Sequence, residues 1–507
     1  MSRKIISIEN LKKIISKLKV KRKKIVLCHG VFDLLHVGHI NHFQEAKNYG
    51  DVLIVSVTSD RYVNKGPNRP AFREENRLKA LTALDVIDYV VLSKSATSIP
   101  IIEELKPNFY CKGSDYRLHQ NDISGEIKNE INSVKKNGGR IIYTGGITFS
   151  SSNLINKFTQ TYSLEQKTAI NKIKKKLPFL EIRNLIENFK KLKILIIGET
   201  IIDQYFFCEA LGKSGKEPVL VLRDLKTEQY LGGAAAISRH ISEFCNKITL
   251  LSMVGERGEF LKEIKNNLPK NINFTYIKKK NSPTILKKRF LDNVSNNKVL
   301  GVYKINDDDL TEIDEKLFNK KLRKLLPSHD LVIVSDYGHG LISKKTSEII
   351  CKHAKYLALN AQVNAANVGY HSMRKYKNID CVIVNEKELR HELRDKNGNI
   401  KILIKRLALA QKIENIIVTK GINGSVLYNK KSNKFNFSDA FAKKAIDKIG
   451  AGDAMLSLIA LGLKSNFDKE LVLLIGSLAA AQSVETMGNK ESVNKIKILK
   501  SIEHLIK

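Results

Sequence analysis

The amino-acid sequence predicts an α/β protein built from two doubly wound parallel-sheet domains. Short apolar runs alternate with longer amphipathic segments along the chain, and this alternation is typical of repeated strand–helix–strand units. The apolar runs, such as residues 52–58, are nearly continuous, which indicates strands that helices cover on both faces. At 507 residues the chain is also too long for one ordinary domain, so we expect at least two.

The charge balance narrows the class of partner. Lys and Arg number 87 against 52 Asp and Glu, a formal charge of +35 that first suggests a nucleic-acid-binding protein. The lysines are spread over the whole chain, however, and no zinc finger, RNA-recognition signature or basic-aromatic stripe accompanies them. The charge therefore favours small phosphate-rich substrates over nucleic acid.

Cysteines and apolar runs bear on the compartment. The six cysteines are scattered without metal-ligand or CxxC spacing, so reduced thiols in a cytoplasmic protein are expected. No apolar run reaches about 18 residues, which predicts that no segment spans a membrane. Charges interrupt every apolar stretch of residues 1–24, so this basic segment is predicted to be a helix before the first strand and not a secretory signal.

The first functional pattern lies in residues 25–40, IVLCHGVFDLLHVGHI. It predicts a buried strand over residues 25–28, a tight turn at residues 29–30, and a helix that carries His36 and His39 on one face. Free N–H groups and the dipole at a helix N-terminus favour an anion. Imidazoles there could donate to triphosphate oxygens that gain charge as a nucleotidyl group moves. The alternative is a helix with two incidental histidines.

The other strands predicted in the N-terminal half end in polar or glycine residues. The carboxyl ends of strands in a doubly wound sheet meet at one edge, where ligands gather, so these ends support a single site. Three serines at residues 150–152 would open a helix, where hydroxyl and N–H groups can hold phosphate. The predicted strand ends carry Gly30, Asp60, Lys112, Gly113, Gly145 and Gly146.

The string GVFDLLHVGH resembles the signature of the cytidylyltransferase-like nucleotidyltransferases, which have a Rossmann-like fold. KGPNRP at residues 65–70, LKPNFYCKGSDY at 105–116 and TFSSSNLI at 148–155 are most similar to the adenylyltransferase half of the bacterial bifunctional heptose kinase/adenylyltransferases. The resemblance implies that His36 and His39 stabilise the triphosphate of ATP during attack on the α-phosphorus. The implied nucleotide-binding residues are Gly30, Val31, Phe32, Asp33, Gly38, Lys65, Lys112, Gly113, Asp115, Ser150, Ser151 and Ser152.

A linker is predicted next, because residues 161–190 contain no glycine and are rich in lysine. The predicted domains are therefore residues 1–160 and residues 191–507. The second domain repeats the strand–turn–helix pattern, with Asp203 in a polar turn after its first strand and Asp336 at the end of a later one.

A glycine turn before a long apolar helix is the chemical centre of the second domain. Gly450, Ala451 and Gly452 leave N–H groups free to form an anion hole for a transferring phosphoryl group. Asp453 follows directly and could take the proton of an attacking hydroxyl. The helix N-terminus is expected to keep this carboxylate ionised. The alternative is an ordinary capping turn.

Together with the GGA and NxxE motifs upstream, this turn resembles the ribokinase-type (PfkB) sugar kinases over about residues 190–507. The resemblance implies a ribokinase-like fold, Asp453 as the base and residues 450–452 as the anion hole. It implies Asn385 and Glu388 near Mg²⁺ and the phosphates, with Glu388 as the metal ligand. Residues 283–290 resemble a lid segment that folds over the sugar. The remaining implied residues are Thr419, Lys420 and Gly421 beside ATP, and Asp203, Gly232, Gly233, Lys287 and Arg289 on the sugar side.

The chain departs from the heptose enzymes in three respects. Ala236 replaces an Asn after the GGA motif, Asn360 and Gln362 occupy an Asp-Pro-Lys strand end, and the transferase half comes first.

We therefore expect a bifunctional enzyme. One half would phosphorylate a sugar or sugar phosphate with MgATP, and the other would join a nucleoside monophosphate to a sugar 1-phosphate, as in ADP-heptose synthesis for surface polysaccharide (lipopolysaccharide). A homodimer is expected by analogy with kinases that pair through a lid. One alternative is a CTP-dependent enzyme that makes a CDP-polyol beside an independent kinase. Another is a nucleotide-sensing or nucleic-acid-binding protein without activity.

Overall fold

The computed structural model describes residues 4–67, 69–116, 123, 125–145, 162–363, 367–442 and 445–506. The chain divides into two compact units, one of Met1–Ser163 with Leu499–Lys507 and the other of Leu164–Ile498. Both are α/β units with parallel sheets, which confirms the predicted fold class. The domain boundaries proposed from the sequence stay a prediction.

The sheet of the first unit contains, in its described part, five parallel strands in the order β3-β2-β1-β4-β5. The order reverses between β1 and β4, and ligands of doubly wound sheets bind at such a switch point, beyond the carboxyl ends of the strands. The strands are β1 (Ile25–Gly30), β2 (Val52–Thr58), β3 (Tyr89–Ser93), β4 (Phe109–Gly113) and β5 (Arg140–Thr144).

Helices cover both faces of this sheet. Val26 and Cys28 of β1 pack into one apolar cluster, and Ile25 and Leu27 pack into another on the opposite face. Both faces of the sheet are buried, which explains why the strand sequences are continuously apolar. The helices are α1 (Ile8–Val20), α2 (Val37–Lys47), α3 (Glu74–Thr82), α4 (Ile99–Leu105) and α5 (Glu126–Lys136).

Strand β1 is longer than predicted. It continues through His29 and Gly30, which pair in register with Ser56 and Val57 of β2. The His29 ring also lies within hydrogen-bonding distance of Ser56 and Thr58, at 3.1 and 3.3 Å. The prediction of a turn at residues 29–30 is wrong because these cross-strand contacts, invisible in a linear pattern, extend the pairing.

In the second unit, the main sheet has nine described strands in the order β10-β9-β6-β13-β14-β15-β16-β17-β18. The first seven in this order run parallel, and β17 and β18 add an antiparallel hairpin at one edge. The strands are β6 (Lys193–Gly198), β9 (Lys247–Gly255), β10 (Ile272–Lys279), β13 (Leu331–Asp336), β14 (Leu357–Ala361), β15 (Ile379–Asn385), β16 (Ile413–Thr419), β17 (Ser425–Asn429) and β18 (Lys434–Ser438).

A second sheet of the same unit has four described strands in the order β12-β11-β7-β8. The predicted lid segment, residues 283–290, contributes to β11, which runs parallel to β7 and antiparallel to β12. The outer parts of β8 and β12 expose apolar side chains to solvent. The strands are β7 (Thr200–Lys213), β8 (Leu220–Gly233), β11 (Leu286–Asp292) and β12 (Lys298–Lys304).

From Leu164 onward the predicted linker segment contains two α-helices and groups with the second unit. None of the helices in the described ranges is both long and apolar enough to cross a membrane. The remaining helices are α6 (Leu164–Lys176), α7 (Phe179–Glu187), α8 (Ala234–Ser242), α9 (Leu261–Asn267), α10 (Glu312–Leu325), α11 (Lys344–His353), α12 (Glu386–Leu393), α13 (Ile400–Ala410), α14 (Ala451–Lys464), α15 (Lys469–Ser483) and α16 (Lys495–Ile506).

Candidate functional sites

The first candidate site forms where β1 leads into α2. Helix α2 begins at Val37, and His36 precedes it as the N-cap residue in an extended conformation. The rings of His36 and His39 stack with centroids 3.9 Å apart, and the Phe32 ring meets His39 edge-on at 5.3 Å. A Cβ on Gly30 would lie 2.9 Å from the Phe32 ring, so this position has no room for a side chain. The structure thus brings the two predicted histidines together, with His36 at the N-cap position but without a side-chain capping hydrogen bond.

Burial favours the neutral form of both histidines. Burial, reinforced by the charges of His36, Lys65 and His42, lowers the pKa of His39 to about 3. Burial and the charge of Lys65 also lower the pKa of His36. The Nδ1 atom of His39 makes no hydrogen bond to any residue that the structure describes. The site therefore offers an uncommitted ring nitrogen beside a cationic lysine, which suits a polyphosphate.

Asp33 is engaged with a neighbouring loop. Its buried carboxylate accepts hydrogen bonds from the backbone N–H groups of Ala71 and Phe72, both at 3.0 Å, and pairs with Arg69 at 3.2 Å. These contacts fasten the loop to the end of β1. A direct role of Asp33 in nucleotide binding stays a prediction, since its visible partners are structural.

Arg77 of α3 is a site-forming residue that the sequence analysis missed. Its fully buried guanidinium donates to the carbonyls of Val31 and Thr58 at 2.6 and 2.8 Å, and pairs with Asp60 at 2.6 Å. It thereby ties the turn after β1 to the end of β2. An arginine in an amphipathic helix gives no sequence signal that it will be buried.

His42 is a second missed residue and lies beside the ends of β4 and β5. Its Nδ1 atom is 2.7 Å from the hydroxyl of Thr144, which itself donates to the carbonyl of Lys112 at 3.2 Å. Because that hydroxyl proton is committed, Nδ1 of His42 carries the ring proton. Burial and the charge of Lys112 lower the pKa of His42 to about 4. Its only sequence signal was a third histidine one helical turn after His39.

Lys112 is held by an acidic partner. Its ammonium pairs with Glu130 of α5 at 2.8 Å and lies over the Tyr116 ring at 4.6 Å from the centroid. A Cβ on Gly113 would meet no atom of a described residue within 4 Å. Gly146, Ser150, Ser151 and Ser152 lie outside the described residues, as does the side chain of Asp115, and their predicted phosphate and nucleotide contacts stay predictions.

The second candidate site is at the start of α14. Gly450 is the N-cap residue with φ +87°, and a Cβ there would lie 2.1 Å from Oδ1 of Asn489. Both the backbone angle and the close approach therefore require glycine. Ala451 and Gly452 occupy the first turn, where the N–H groups have no partner within the helix. The predicted anion hole at this turn stays a prediction.

Asp453 lies partly buried in the first turn of α14, and its charge state differs from expectation. Burial and the neighbouring Asp203 raise its pKa to about 7, against the opposing effects of a hydrogen bond from Tyr337 and the charge of Lys287. The expectation that the helix N-terminus keeps this carboxylate fully ionised is wrong, because loss of hydration outweighs the dipole. A carboxyl group with a pKa near 7 can both accept and release a proton at neutral pH.

Sugar-side residues predicted from three different strands lie together, and two of them, Asp203 and Lys287, act on the charge of Asp453. Asp203 of β7 forms an ion pair with Arg289 of β11, and the same strand pairing places Lys287 opposite Asp203. A Cβ on Gly232 would lie 2.3 Å from Oδ2 of Asp203, so glycine permits this contact. Gly233 ends β8 and caps α8 with φ +62°.

Lys287 is the least satisfied charged group of this site. The residue is 7% exposed, and its ammonium finds neither a carboxylate nor a hydrogen-bond acceptor among the described residues. It lies 5.6 and 5.7 Å from the ring centroids of Tyr303 and Tyr337. Burial lowers its pKa. The charges of Asp203, Glu199 and Asp307 partly offset this effect, and a bound anion would supply the hydrogen-bond acceptor that the described residues do not.

Asn385 and Glu388 form a capping box at the start of α12. Each side chain accepts a hydrogen bond at 2.8 Å from the backbone N–H of the other residue. Burial and the charge of Asp453 raise the pKa of Glu388 to about 7, so the two carboxyl groups interact electrostatically. The motif therefore has a structural role, and its predicted roles toward Mg²⁺ and phosphate stay predictions.

The predicted ATP-side turn follows the adjacent strand. Thr419 is the register partner of Asn385 at the ends of β16 and β15. Lys420 and Gly421, whose φ is +60°, continue directly from it. In the described part of the chain, no group of three or more His, Cys, Asp or Glu side chains is arranged to hold a metal ion.

Two of the substitutions relative to heptose enzymes have visible surroundings. Ala236 is buried in α8, and the side-chain amide of Asn360 donates to the carbonyl of Ile383 at 2.8 Å.

All six cysteines are free thiols, as predicted.

Two protein families match the chain, in the predicted order. Residues 27–162 match the family model described as cytidylyltransferase-like, and residues 191–496 match that of the pfkB family carbohydrate kinases.

Curated relatives match over part of their length. A Bifunctional protein HldE from Geobacter metallireducens is 40% identical over 168 residues, 32% of this chain and 32% of the relative. A protein of the same name from Campylobacter jejuni is 27% identical over 324 residues, 62% of this chain and 66% of the relative. The chain thus spans about a third of the length of the first of these relatives.

A solved structure supports the fold of the second unit. Phosphofructokinase-2 from Escherichia coli, in complex with potassium, superposes with a TM-score of 0.51 at 16% identity, over 62% of this chain and 100% of that one. Since the pfkB family model covers more than half of the sequence and includes the glycine turn, Asp453 and the sugar-side residues, the chain belongs to the pfkB family of carbohydrate kinases.

Proposed function

We propose that the chain is a bifunctional enzyme of activated-sugar biosynthesis. The second unit phosphorylates a sugar phosphate of the heptose 7-phosphate type with ATP. The first unit transfers the nucleoside monophosphate of ATP to a sugar 1-phosphate, releases pyrophosphate and yields an ADP-heptose-like product. The similarity to proteins named bifunctional supports the pairing of two activities.

The observation that carries the kinase assignment is the carboxyl group of Asp453 directly after the glycine turn. Its carboxylate takes the proton of the acceptor hydroxyl as that oxygen attacks the γ-phosphorus of ATP, and ADP leaves. The N–H groups of Gly450, Ala451 and Gly452 stabilise the charge on the transferring group. The pKa of about 7 puts the base near the operating pH, where general-base catalysis is most efficient.

The unpaired ammonium of Lys287 favours a phosphorylated acceptor over a neutral sugar. Lys287 and Arg289 are two residues apart on β11 and so project to the same face of the sheet. Arg289 is already paired with Asp203, whereas Lys287 has no acceptor among the described residues. The phosphate of a sugar phosphate would supply one.

Glu388 is the protein group best suited to hold Mg²⁺ in this reaction. Its raised pKa reflects burial beside another carboxylate, and a divalent cation would favour its ionised form. Magnesium commonly takes one or two carboxylates and completes its coordination with phosphate and water. When bound, the ion would neutralise charge on the phosphates of ATP.

In the transferase unit, His36 and His39 would donate to the triphosphate while the acceptor phosphate oxygen attacks the α-phosphorus. Neutral imidazoles still carry one ring N–H each, so the low pKa of His39 does not remove this ability. The uncommitted Nδ1 of His39 and the nearby Lys65 support this role.

The decisive experiment is a screen of nucleoside triphosphates against a panel of sugar 1-phosphates, read by pyrophosphate release, with ADP release from sugar phosphates measured in parallel. We expect ATP and a heptose 1-phosphate to react. Exclusive use of CTP with a polyol phosphate would replace the adenylyl assignment. Tight DNA binding at physiological salt, with neither activity, would overturn the enzyme proposal.

We also propose that the full chain forms a homodimer through the four-stranded sheet. Leu220 of β8 and Leu300 of β12 are 54% and 55% exposed, and exposed apolar strands of this kind mark interaction surfaces. Leu300→Lys should give a monomer in sedimentation velocity. Leu409→Lys on α13, at an equally exposed leucine outside this sheet, is the matched control, and a monomeric wild type would refute the proposal.

A further inference from the structure

We propose that Tyr337 is a positioning residue that holds the catalytic carboxylate of Asp453 through its phenolic hydroxyl. The inference rests on the proposed kinase function and adds a residue that the GAGD pattern does not contain. Tyr337 lies 116 positions before Asp453 in the chain, and its hydroxyl donates to Oδ1 of Asp453 at 3.0 Å.

Tyr337 is itself fixed from several sides. It follows the carboxyl end of β13 and is 4% exposed. Its backbone N–H donates to Glu199 at 3.0 Å, and its carbonyl accepts from the side-chain amide of Asn367 at 2.8 Å. The ammonium of Lys287 lies 5.7 Å from the centre of its ring. The phenol is therefore a preorganised donor whose direction the surrounding backbone determines.

The contact has a geometric consequence for proton transfer. Oδ1 of Asp453 receives the phenolic hydrogen, while Oδ2 accepts no hydrogen bond from the described residues. The two oxygens are thereby distinguished, and Oδ2 is the one left to take the proton of the acceptor hydroxyl. A positioned base needs its accepting oxygen within hydrogen-bond reach of that hydroxyl, which a freely rotating carboxylate would not ensure.

The contact also has an electrostatic consequence. The charged or titratable groups that face Asp453 are Asp203 from β7, Lys287 from β11, Glu388 from α12 and Tyr337 itself. Asp203 and burial favour the protonated acid, whereas Lys287 and the phenolic hydrogen bond favour the carboxylate. Removing the phenolic donor should therefore raise the pKa of Asp453 and weaken the base below neutral pH.

The test compares Tyr337→Phe with Tyr376→Phe in the full chain. Tyr376 is equally buried, and its hydroxyl donates to Asp336 at 2.7 Å and not to Asp453, so it controls for loss of a buried phenol. In Tyr337→Phe, the apparent pKa of the acid limb of the kcat–pH profile should rise by about one unit. The kcat at pH 6 should then be about tenfold lower than that of the wild type, and it should approach the wild-type value near pH 9. Tyr376→Phe should keep the wild-type limb. An unshifted limb in Tyr337→Phe would overturn the proposal.

Two further measurements keep the inference testable. Replacing Tyr337 by 3-fluorotyrosine preserves the shape and strengthens the donor, so the limb should move to lower pH even if Tyr337→Phe folds poorly. A carboxyl ¹³C NMR titration without substrate, assigned with Asp453→Asn, should show a higher midpoint for Asp453 in Tyr337→Phe. An inactive wild type would refute the kinase function, whereas an unchanged NMR midpoint would refute the role of Tyr337.

Discussion

The two candidate sites use the same architecture with opposite electrostatic results. Each lies at the start of a helix, and burial shifts the pKa of a central ionisable group in each. In the first unit, burial lowers the pKa of His39 to about 3, and in the second it raises the pKa of Asp453 to about 7. Burial disfavours the charged form in both, so the residue type alone decides the direction.

The two candidate sites therefore differ in the proton chemistry that they suit. A histidine that burial keeps neutral in the absence of ligand would act on phosphate as a hydrogen-bond donor, as proposed for nucleotidyl transfer. A carboxyl group poised near neutrality accepts a proton, which suits phosphorylation of a hydroxyl. The two activities should therefore respond independently to mutation and differently to pH.

Asp453→Asn should have the largest effect. Asn caps a helix as well as Asp but cannot accept the proton, so kinase turnover should fall about 10²–10⁴-fold, measured as ADP release. Nucleotidyl transfer to a supplied sugar 1-phosphate should be unchanged. A kinase rate within a few-fold of the wild type would mean that Asp453 only caps α14.

His36→Ala or His39→Ala should separate the sites in the other direction. Loss of one preorganised donor should lower pyrophosphate release by about 10²–10³-fold. Sugar phosphorylation should stay at the wild-type rate, so each variant serves as the control for Asp453→Asn. Near-normal transfer by His36→Ala would contradict the proposed role of the histidine pair.

Lys287→Met tests whether the ammonium of Lys287 binds the phosphate of the acceptor substrate. It keeps an apolar stem between the tyrosine rings and removes the ammonium, so KM for a sugar phosphate should rise about 10–100-fold. The KM for an unphosphorylated analogue should change little. An equal increase of KM for both acceptors would show that Lys287 does not recognise the phosphate of the acceptor.

The smallest expected effect is the pH dependence of the wild type. Because the base is active only when ionised and its pKa is raised to about 7, kinase kcat should fall about tenfold per pH unit below that value. Transfer should lose no activity to protonation of His39 between pH 6 and pH 8, since the pKa of His39 is about 3. Parallel acid limbs for the two reactions would contradict the contrast between the sites.

Local pattern was sufficient for much of this molecule. The alternation of apolar runs predicted two parallel sheets, and helical periodicity predicted that His36 and His39 share a face. The Gly450 to Asp453 turn was predictable because its function depends on neighbours in the chain. Asn385 and Glu388 were found by their spacing, but that spacing did not reveal that they form a capping box.

Contacts between residues that are far apart in the sequence could not be predicted from sequence patterns. Tyr337 meets Asp453 across 116 positions, and Arg77 reaches Val31 across 46, so neither contact leaves a periodic trace. His42 was overlooked for the same reason, since its partner Thr144 is 102 positions away. Such contacts depend on which strands become neighbours and in what register.

The sequence by itself determined the fold class, the order of the two families and the residue types available at each strand end, because hydrophobic period and turn chemistry are local properties. Only the tertiary structure decided the charge states and the partners. It sets the burial that shifts the pKa values of Asp453 and His39, leaves the ammonium of Lys287 without a hydrogen bond or ion pair to a described residue, and places the hydroxyl of Tyr337 on the carboxylate of Asp453. Hydration and Coulomb interactions depend on distance in space, and folding alone sets those distances.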